Sequence, residues 1–288
     1  MKISGKTTVY GVIGDPIEHT LSPLMHASAI EKMGIDAVYV PFHVRPDELE
    51  HAIKGIKALG VGGLNVTVPH KTRVMDYLDN LTDEAKAVGA VNTVINHDGV
   101  LTGDNTDVYG FTRCLFVDGG LERFPKRVYV IGAGGAARGV VYACAKSDEV
   151  SEVVVINRTL SKAEKLAEEL SAVTGSHISA MPAIEETFSG MLSDAELLIN
   201  TTSVGMYPQV EHSPVPYPEV FHEGQVVCDI IYNPSETRLL RDAASHGAKV
   251  VGGLAMLAYQ GARSLSLWTG MEAPAEVMLD VLKQEFGQ

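Results

Sequence analysis

The apolar positions of this chain fall into short runs separated by longer amphipathic stretches. The first run, Thr8-Val-Tyr-Gly-Val-Ile13, has strand-forming residues and ends at the turn Gly14-Asp15-Pro16. Ser22-Pro23 has the form of a helix start, with Ser22 as N-cap, Pro23 as first helical residue and Gly34 as the stop. A strand over residues 38–44 follows, then a helix opened by Pro46 with Leu49, Ile53 and Ile56 on one face, then a strand over 62–68. This alternation predicts a largely parallel sheet. Residues 91–95 and 100–102, separated by a segment with Asp98-Gly99, predict instead a hairpin at a sheet edge, so the first domain reads as mixed α/β. A helical segment runs from Thr106 to Gly119-Gly120. Beyond it, strands at 127–131, 153–156, 196–199, 226–230 and 249–251 alternate with helical runs. A proline-rich loop over 206–218 is expected to cover an edge or a cleft. Two closing helices, 255–268 and 274–286, either finish the second domain or return to the first; periodicity leaves both open.

Composition narrows the partners. A chain of 288 residues suits two domains with a core in each, and 45% hydrophobic residues mark it as folded. A formal net charge of −13 argues against nucleic acid or an anionic membrane as partner, so any anionic ligand must be held by a local cluster. Cys114, Cys144 and Cys228 are odd in number and far apart, which points to reduced thiols rather than a disulfide framework or a metal site. Lys2 is followed by no apolar leader, and no run approaches a membrane span, so a cytoplasmic protein is predicted. The ten histidines show no metal-ligand spacing; no metal is expected, and His19, His26 and His70 read as surface or supporting groups.

The most informative stretch is Val128-Tyr-Val-Ile-Gly132-Ala133-Gly134-Gly135-Ala136-Ala137, an apolar strand entering a glycine turn and then a helical run. It fits the G-x-G-x-x-A turn of a dinucleotide-binding βαβ unit: Gly132 for the tight turn, Gly134 for close approach of a pyrophosphate, Ala137 for helix-on-strand packing. The next strand ends in Asn157-Arg158-Thr159, where an NAD-binding unit would place an acid against the ribose. A carboxylate there would repel a 2′-phosphate, whereas a guanidinium pairs with it, so the implied cofactor is NADP.

In the first domain, Asn65-Val-Thr67-Val-Pro69-His70-Lys71 puts two polar side chains on one strand face and a lysine past its carboxyl end, where open α/β sheets bind ligands. A solvated lysine is the plainer alternative. Gly103-Asp104-Asn105-Thr106-Asp107 offers two carboxylates before a helix, where Thr106 or Asp107 could equally be a cap and Asp104 carries no evident chemistry. Gly89-Ala-Val-Asn92-Thr93 places an amide at a strand start.

Read in order, these motifs carry a resemblance. His19-Thr20-Leu-Ser22-Pro23, Asn65 to Lys71, Gly89 to Thr93, Asn105-Thr-Asp107 and Gly132 to Ala136 are followed by Asn157-Arg-Thr159 and Asn200-Thr201-Thr-Ser203-Val-Gly205-Met206. Asp229-Ile230-Ile-Tyr232-Asn-Pro234 with Thr237, and Gly253-Leu-Ala-Met-Leu257 leading to Gln260, complete the set. Over nearly its whole length the chain resembles the shikimate/quinate dehydrogenase family, and within it the NADP-dependent enzymes that reduce 3-dehydroshikimate to shikimate in aromatic amino-acid biosynthesis. The resemblance implies two α/β domains: an N-terminal mixed substrate domain and a Rossmann-type, doubly wound NADP-binding domain, with the active-site cleft between them. Residues 1–107 and 255–288 would form the first, residues 108–254 the second.

The resemblance further implies that Lys71 and Asp107 are the catalytic pair. Thr20 and Ser22, helped by Tyr232, would hold the substrate carboxylate, and Asn65, Thr67, Asn92 and Gln260 would line the ring hydroxyls. Gly132, Ala133, Gly134, Gly135 and Ala136 would receive the NADP phosphates, and Asn157, Arg158, Thr159 and Lys162 its 2′-phosphate. Thr201, Ser203, Gly205, Met206, Ile230 and Gly253 would complete the cofactor seat. The family includes monomers and homodimers. Three positions depart from it: Thr20 where serine is usual, Ala27 after His26 where asparagine is usual, and Gly261 after Gln260, as in some quinate-accepting relatives. Two alternatives follow, a quinate/shikimate dehydrogenase with broader substrate or cofactor use, and a non-catalytic member that binds nucleotide or shikimate and regulates something else. Arg158 speaks against the first, and the intact Lys71 and Asp107 against the second.

Overall fold

The computed structural model describes residues 3–287; Met1, Lys2 and Gln288, which fall within the expected domain ends, lie outside the described residues. The chain separates into two compact units, one running to Gly110 and resuming at Leu257, the other Phe111–Met256.

The first unit contains β1 (Thr8–Gly14), α1 (Ser22–Met33), β2 (Ala37–His43), α2 (Leu49–Leu59), β3 (Gly63–Val66), β4 (Asn80–Leu81), α3 (Asp83–Val88), β5 (Thr93–His97) and β6 (Val100–Asp104). Its sheet has the order β2-β1-β3-β5-β6-β4. β1 runs parallel to β2 and β3, whereas β5 is antiparallel to β3 and β6, the mixed sheet that the pattern predicts. Asp98 and Gly99 turn the β5–β6 hairpin at φ 50° and 83°, the left-handed region that an Asp-Gly pair enters at little strain. The hairpin is not at the edge, because β4 pairs beyond β6. Two residues are too few to show an alternation, so β4 left no trace in the pattern.

Three boundaries shift for local reasons. α1 starts at Ser22 with Leu21 as N-cap, because the Thr20 hydroxyl accepts the Ser22 N–H at 3.3 Å. α2 starts at Leu49, after the turn in which Glu48 N–H donates to Arg45 carbonyl at 3.0 Å. β3 ends at Val66, although Thr67 still donates to Ile13 and Val68 still accepts from Asp15, each at 3.0 Å. Pro69 has no N–H with which to continue. Ile13, Leu49, Ile53, Leu64, Val94 and Leu101 form the centre of the apolar core on this sheet.

α4 (Asp107–Arg113) continues as a π-helical turn over Cys114–Asp118, with Gly119 N–H on the Cys114 carbonyl at 2.8 Å. The second unit then adds β7 (Arg127–Ile131), α5 (Gly135–Ala145), β8 (Glu152–Asn157), α6 (Leu160–Thr174), β9 (Ile178–Pro182), α7 (Glu185–Met191), β10 (Leu197–Asn200), β11 (Val226–Asp229), α8 (Arg238–Ser245) and β12 (Lys249–Val251). All six strands are parallel in the order β12-β11-β10-β7-β8-β9. The order reverses between β7 and β10, the switch point at which such sheets bind nucleotides. Strands covered on both faces read as unbroken apolar runs, as Val128 to Ile131 and Val153 to Ile156 do. β9 is an edge strand, only partly covered and ending in proline, which is why no such run announced it. Within the loop over 206–218, Val215 is fully buried in the core of this unit.

α9 (Leu254–Thr269) and α10 (Ala275–Glu285) close the chain. From Leu257 onward they belong to the first unit. There Trp268 stacks on Tyr10 at 5.0 Å and donates its indole N–H to the Val94 carbonyl at 3.0 Å. No helix among the described residues is long and apolar enough to cross a membrane.

Candidate active site

Lys71 follows β3 in a turn whose backbone is fixed on both sides. His70, 1% exposed, bonds through Nε2 to the Val44 carbonyl at 2.7 Å, and the Lys71 carbonyl accepts the Val91 N–H at 2.7 Å. The lysine side chain, 12% exposed, donates from Nζ to Asp107 Oδ2 at 2.6 Å, and the aspartate side chain is 5% exposed. Asp107 opens α4 and is set by Asn105, whose Oδ1 accepts the Asp107 N–H at 3.1 Å and whose Nδ2 donates to the Ala90 carbonyl at 2.9 Å. The ion pair is therefore held in place by backbone on both partners.

Asn92 joins this pair to the rest of the unit. Its Oδ1 accepts the Thr106 backbone N–H at 2.7 Å, which fixes the orientation of the amide and turns Nδ2 toward Asp107 Oδ1 at 2.8 Å. The same Nδ2 lies 3.3 Å from Gln260 Oε1, and Gln260 donates back to its own helix at the Leu257 carbonyl, 2.8 Å away. Behind Asn92 lie three buried hydroxyls, with Thr93 to Ser264 at 2.7 Å, and Thr106 at 3.1 Å from each of them. Asn65 is tied into the same interior, Nδ2 donating to Ser264 at 2.9 Å and Oδ1 accepting the Tyr39 hydroxyl at 2.8 Å. Its amide hydrogens are thus engaged within the protein, and one Oδ1 lone pair remains. Sequence reasoning missed Tyr39, Thr93, Thr106 and Ser264 as members of this network. Ser264 stands four residues after Gln260 on one helix face, a spacing that could have flagged it.

Thr20 and Ser22 lie at the start of α1, and the Ser22 hydroxyl has no hydrogen-bond partner among the described residues. His26, one turn on and fully buried, bonds through Nδ1 to the Ser22 carbonyl at 2.9 Å and stacks on Tyr39 at 3.9 Å. That bond requires the proton on Nδ1, leaving Nε2 bare. Burial pushes the His26 imidazole down to about 4. A Cβ at Gly261 would meet Met25 Cε and, at 3.1 Å, His26 Cε1, so this departure is accounted for by the packing of α9 on α1. Ala27 is exposed. Asp104 accepts from Thr82 at 2.7 Å and from Asn105 N–H at 2.9 Å, a structural post.

In the second unit the glycine turn leaves β7 at the switch point. Gly132 has φ 114°, and a Cβ there would collide with Thr201 Oγ1. Gly134 is the N-cap of α5, and a Cβ there would meet nothing within 4 Å. The space beside Gly134 at the start of α5 is therefore open, next to a turn that only glycine can make at Gly132, which fits a pyrophosphate. Arg158, Thr159 and Lys162 are exposed around the start of α6, and Asn157 Nδ2 holds the Thr159 carbonyl at 2.9 Å, a donor set that fits a phosphate monoester. Thr201 caps the Gly132 turn through Oγ1 to the Ile131 carbonyl at 2.7 Å. Ser203, Gly205 and Met206 follow it, and Ile230, Tyr232 and Gly253 come from the ends of β11 and β12. Burial raises all three thiols, Cys114 to about 12, so none is a nucleophile. Among the described residues no group of three His, Cys, Asp or Glu could hold a metal ion.

Residues 12–94 match the shikimate dehydrogenase substrate binding domain, residues 253–283 the shikimate 5′-dehydrogenase C-terminal domain, and residues 128–205 the saccharopine dehydrogenase NADP binding domain. A shikimate dehydrogenase (NADP(+)) of Caldanaerobacter subterraneus is 47% identical over 94% of both chains. One from Methanopyrus kandleri is 43% identical over 98% of this chain and 97% of that one. A crystal structure of shikimate dehydrogenase in complex with NADP+ superposes with a TM-score of 0.91 at 40% identity, over 100% of this chain and 98% of that one. At 43% and 47% identity to these proteins over nearly its full length, and with the fold of the NADP+ complex, the chain belongs to the shikimate dehydrogenase family.

Proposed function

We propose that the protein is an NADP-dependent oxidoreductase that interconverts 3-dehydroshikimate and shikimate, a cytoplasmic step toward the aromatic amino acids. The observation that carries this reading is the Lys71–Asp107 pair, 2.6 Å apart, almost buried and braced by Asn92. When bound, NADPH supplies the hydride that reduces the ketone carbon. Reduction leaves negative charge on the ketone oxygen, and the Lys71 ammonium donates a proton to it. Asp107 orients the ammonium and balances its charge, and in the reverse direction Lys71 takes the hydroxyl proton back. Thr20, Ser22 and Tyr232 hold the carboxylate of the acid. Thr67, Asn92 and Gln260 read its ring hydroxyls, with Asn65 behind them offering its remaining Oδ1 lone pair.

On the nucleotide side, Gly132 to Ala136 present backbone N–H groups to the phosphates. Asn157, Arg158, Thr159 and Lys162 receive the 2′-phosphate, and Thr201, Ser203, Gly205, Met206, Ile230 and Gly253 shape the remainder of the seat. Measuring nicotinamide absorbance in both directions tests the proposal. NADPH should be consumed one for one on addition of 3-dehydroshikimate and formed from NADP on addition of shikimate. No change in either direction would refute it.

A further inference from the structure

A fully buried carboxylate lies at the carboxyl end of β11, one strand in from the edge of the second unit's sheet, and the chemistry proposed above makes no use of it. Asp229 is 0% exposed and accepts three hydrogen bonds from three separate segments. Asn200 Nδ2 reaches its Oδ1 at 3.0 Å from the end of β10, and Ile231 N–H reaches the same oxygen at 3.1 Å from the loop after β11. Thr237 donates its hydroxyl to Oδ2 at 2.7 Å while capping α8 through the Leu240 N–H at 3.3 Å. Asn200 passes the constraint on. Its Oδ1 accepts both the N–H and the hydroxyl of Thr202, at 3.0 and 2.7 Å. Gly253 closes the other side, since a Cβ there would meet the Ile230 backbone and, at 2.7 Å, the Ile231 carbonyl oxygen.

We propose that Asp229 is a positioning residue: its buried carboxylate locks the loop over 201–206 to the loop over 230–232, so that both meet NADP in fixed register. The inference rests on the cofactor reading above. The two loops leave adjacent parallel strands, and the first adjoins the Gly132 turn at the switch point, where Thr201 N–H and hydroxyl both bond to the Ile131 carbonyl, at 2.8 and 2.7 Å. Asp229 has only neutral donors around it, and burial pushes its carboxyl up to about 6. Its ionised form is therefore disfavoured by the folded surroundings and adds no stability at neutral pH. What the charge does supply is three hydrogen bonds to groups that otherwise belong to separate segments.

An amide of the same shape cannot replace it. With its oxygen toward Asn200 and Ile231, the Asn NH2 meets Thr237 only if that hydroxyl, which already accepts the Leu240 N–H, turns from donor to acceptor, and the charge that strengthens all three bonds is gone. Asp229→Asn, compared with wild type at pH 8 by calorimetric NADP titration and by thermal melting, is expected to bind NADP about tenfold more weakly while melting at or above the wild-type temperature. Thr237→Val should repeat the loss of affinity and Thr237→Ser should restore it, and this pair decides the matter if Asp229→Asn does not fold. Unchanged NADP affinity in Asp229→Asn, or equal affinities in Thr237→Val and Thr237→Ser, would overturn the proposal. Because the readout is affinity rather than turnover, a wild type that binds NADP but leaves shikimate untouched would refute the dehydrogenase reading and not this one.

Discussion

The two units each carry a six-stranded sheet, and they make their sites in opposite ways. In the first, polar side chains run through the interior: Asn65, Asn92, Thr93, Thr106, Asp107 and Ser264 are all buried, and each is bonded to at least one other. In the second, β7 and β8 are apolar throughout their centres, Asp229 with Asn200 and Thr237 forms a small buried polar knot, and the expected ligand contacts are backbone N–H groups and exposed side chains. The difference follows from what each must recognise. A small acid with several hydroxyls is read by side chains whose donors and acceptors are fixed from behind, and such a network discriminates because any group left unpaired is penalised. Phosphates are read by charge and backbone, which needs a turn, a helix start and an exposed guanidinium rather than a rigid interior.

If this division is right, changes in the first unit act mainly on turnover and acid selection, and changes in the second mainly on cofactor binding. The largest effect is expected at Lys71. Lys71→Ala should lower kcat by a factor on the order of 100 or more with a much smaller change in KM for shikimate, since the lost proton transfer belongs to the transition state. Steady-state rates check this; a raised KM with kcat retained would make Lys71 a binding residue only. Next comes Arg158→Ala, which removes about 1.5 to 3 kcal/mol of charge-assisted pairing. It should abolish most of the preference for NADP over NAD and leave kcat with shikimate close to wild type. A wild type that uses the two cofactors equally would contradict the assignment.

A third comparison uses the buried titratable group of each unit. The His26 imidazole is pushed down to about 4, so the unfolded chain binds the extra proton between roughly pH 6.5 and 4. Its contribution to stability is present above that window and lost as pH falls through it. The Asp229 carboxyl is pushed up to about 6, so here the folded chain binds the extra proton, and stability present at low pH is lost as pH rises from roughly 4 to 6. The two slopes oppose each other, each integrating to about 3 kcal/mol. Urea unfolding between pH 4 and 7.5 should therefore show opposite deviations from wild type, His26→Phe losing the acid sensitivity and Asp229→Asn losing the decline toward neutral pH. Parallel curves for all three proteins would show that neither group is shifted as the structure has it. The smallest effect is expected for Thr20→Ser. Serine keeps the hydroxyl that accepts the Ser22 N–H, so KM for shikimate should barely move, and a KM raised tenfold would show that the methyl group is part of the fit.

What the sequence made legible follows the same contrast. The second unit's glycine turn could be read directly, because Gly132 is demanded by backbone geometry and the signal lies within a few consecutive residues. The first unit offered Lys71, Asn92 and Asp107 as separate weak signals; they meet only through the pairing of β3, β5 and β6. Thr93 and Thr106 stood out only as a motif neighbour and a candidate cap, and Ser264 only by its spacing from Gln260, since a buried hydroxyl looks like any surface hydroxyl until its partners are known. β4 and β9 escaped for a related reason, being edge strands too short or too exposed to carry a periodic apolar face. The N-cap of α1 falls at Leu21, one residue before the Ser22 that the Ser-Pro pair suggests, because the Thr20 hydroxyl takes the Ser22 N–H and no side chain caps the helix.

The division of labour is tested most directly by kcat/KM for each of four pairings, shikimate or quinate with NADP or NAD. Quinate carries an extra hydroxyl on a tetrahedral carbon beside the carboxylate. Next to Thr20 the methyl group gives that hydroxyl no partner, and an unpaired polar group costs about 1 to 3 kcal/mol when buried. Shikimate with NADP should therefore be the best pair, with quinate lower by about ten- to a hundredfold. The acid preference should be the same with either cofactor, and the cofactor preference the same with either acid, since the discriminating residues, Thr20 and Arg158, belong to different units. Comparable values for quinate and shikimate, or an acid preference that changes with the cofactor, would contradict the account.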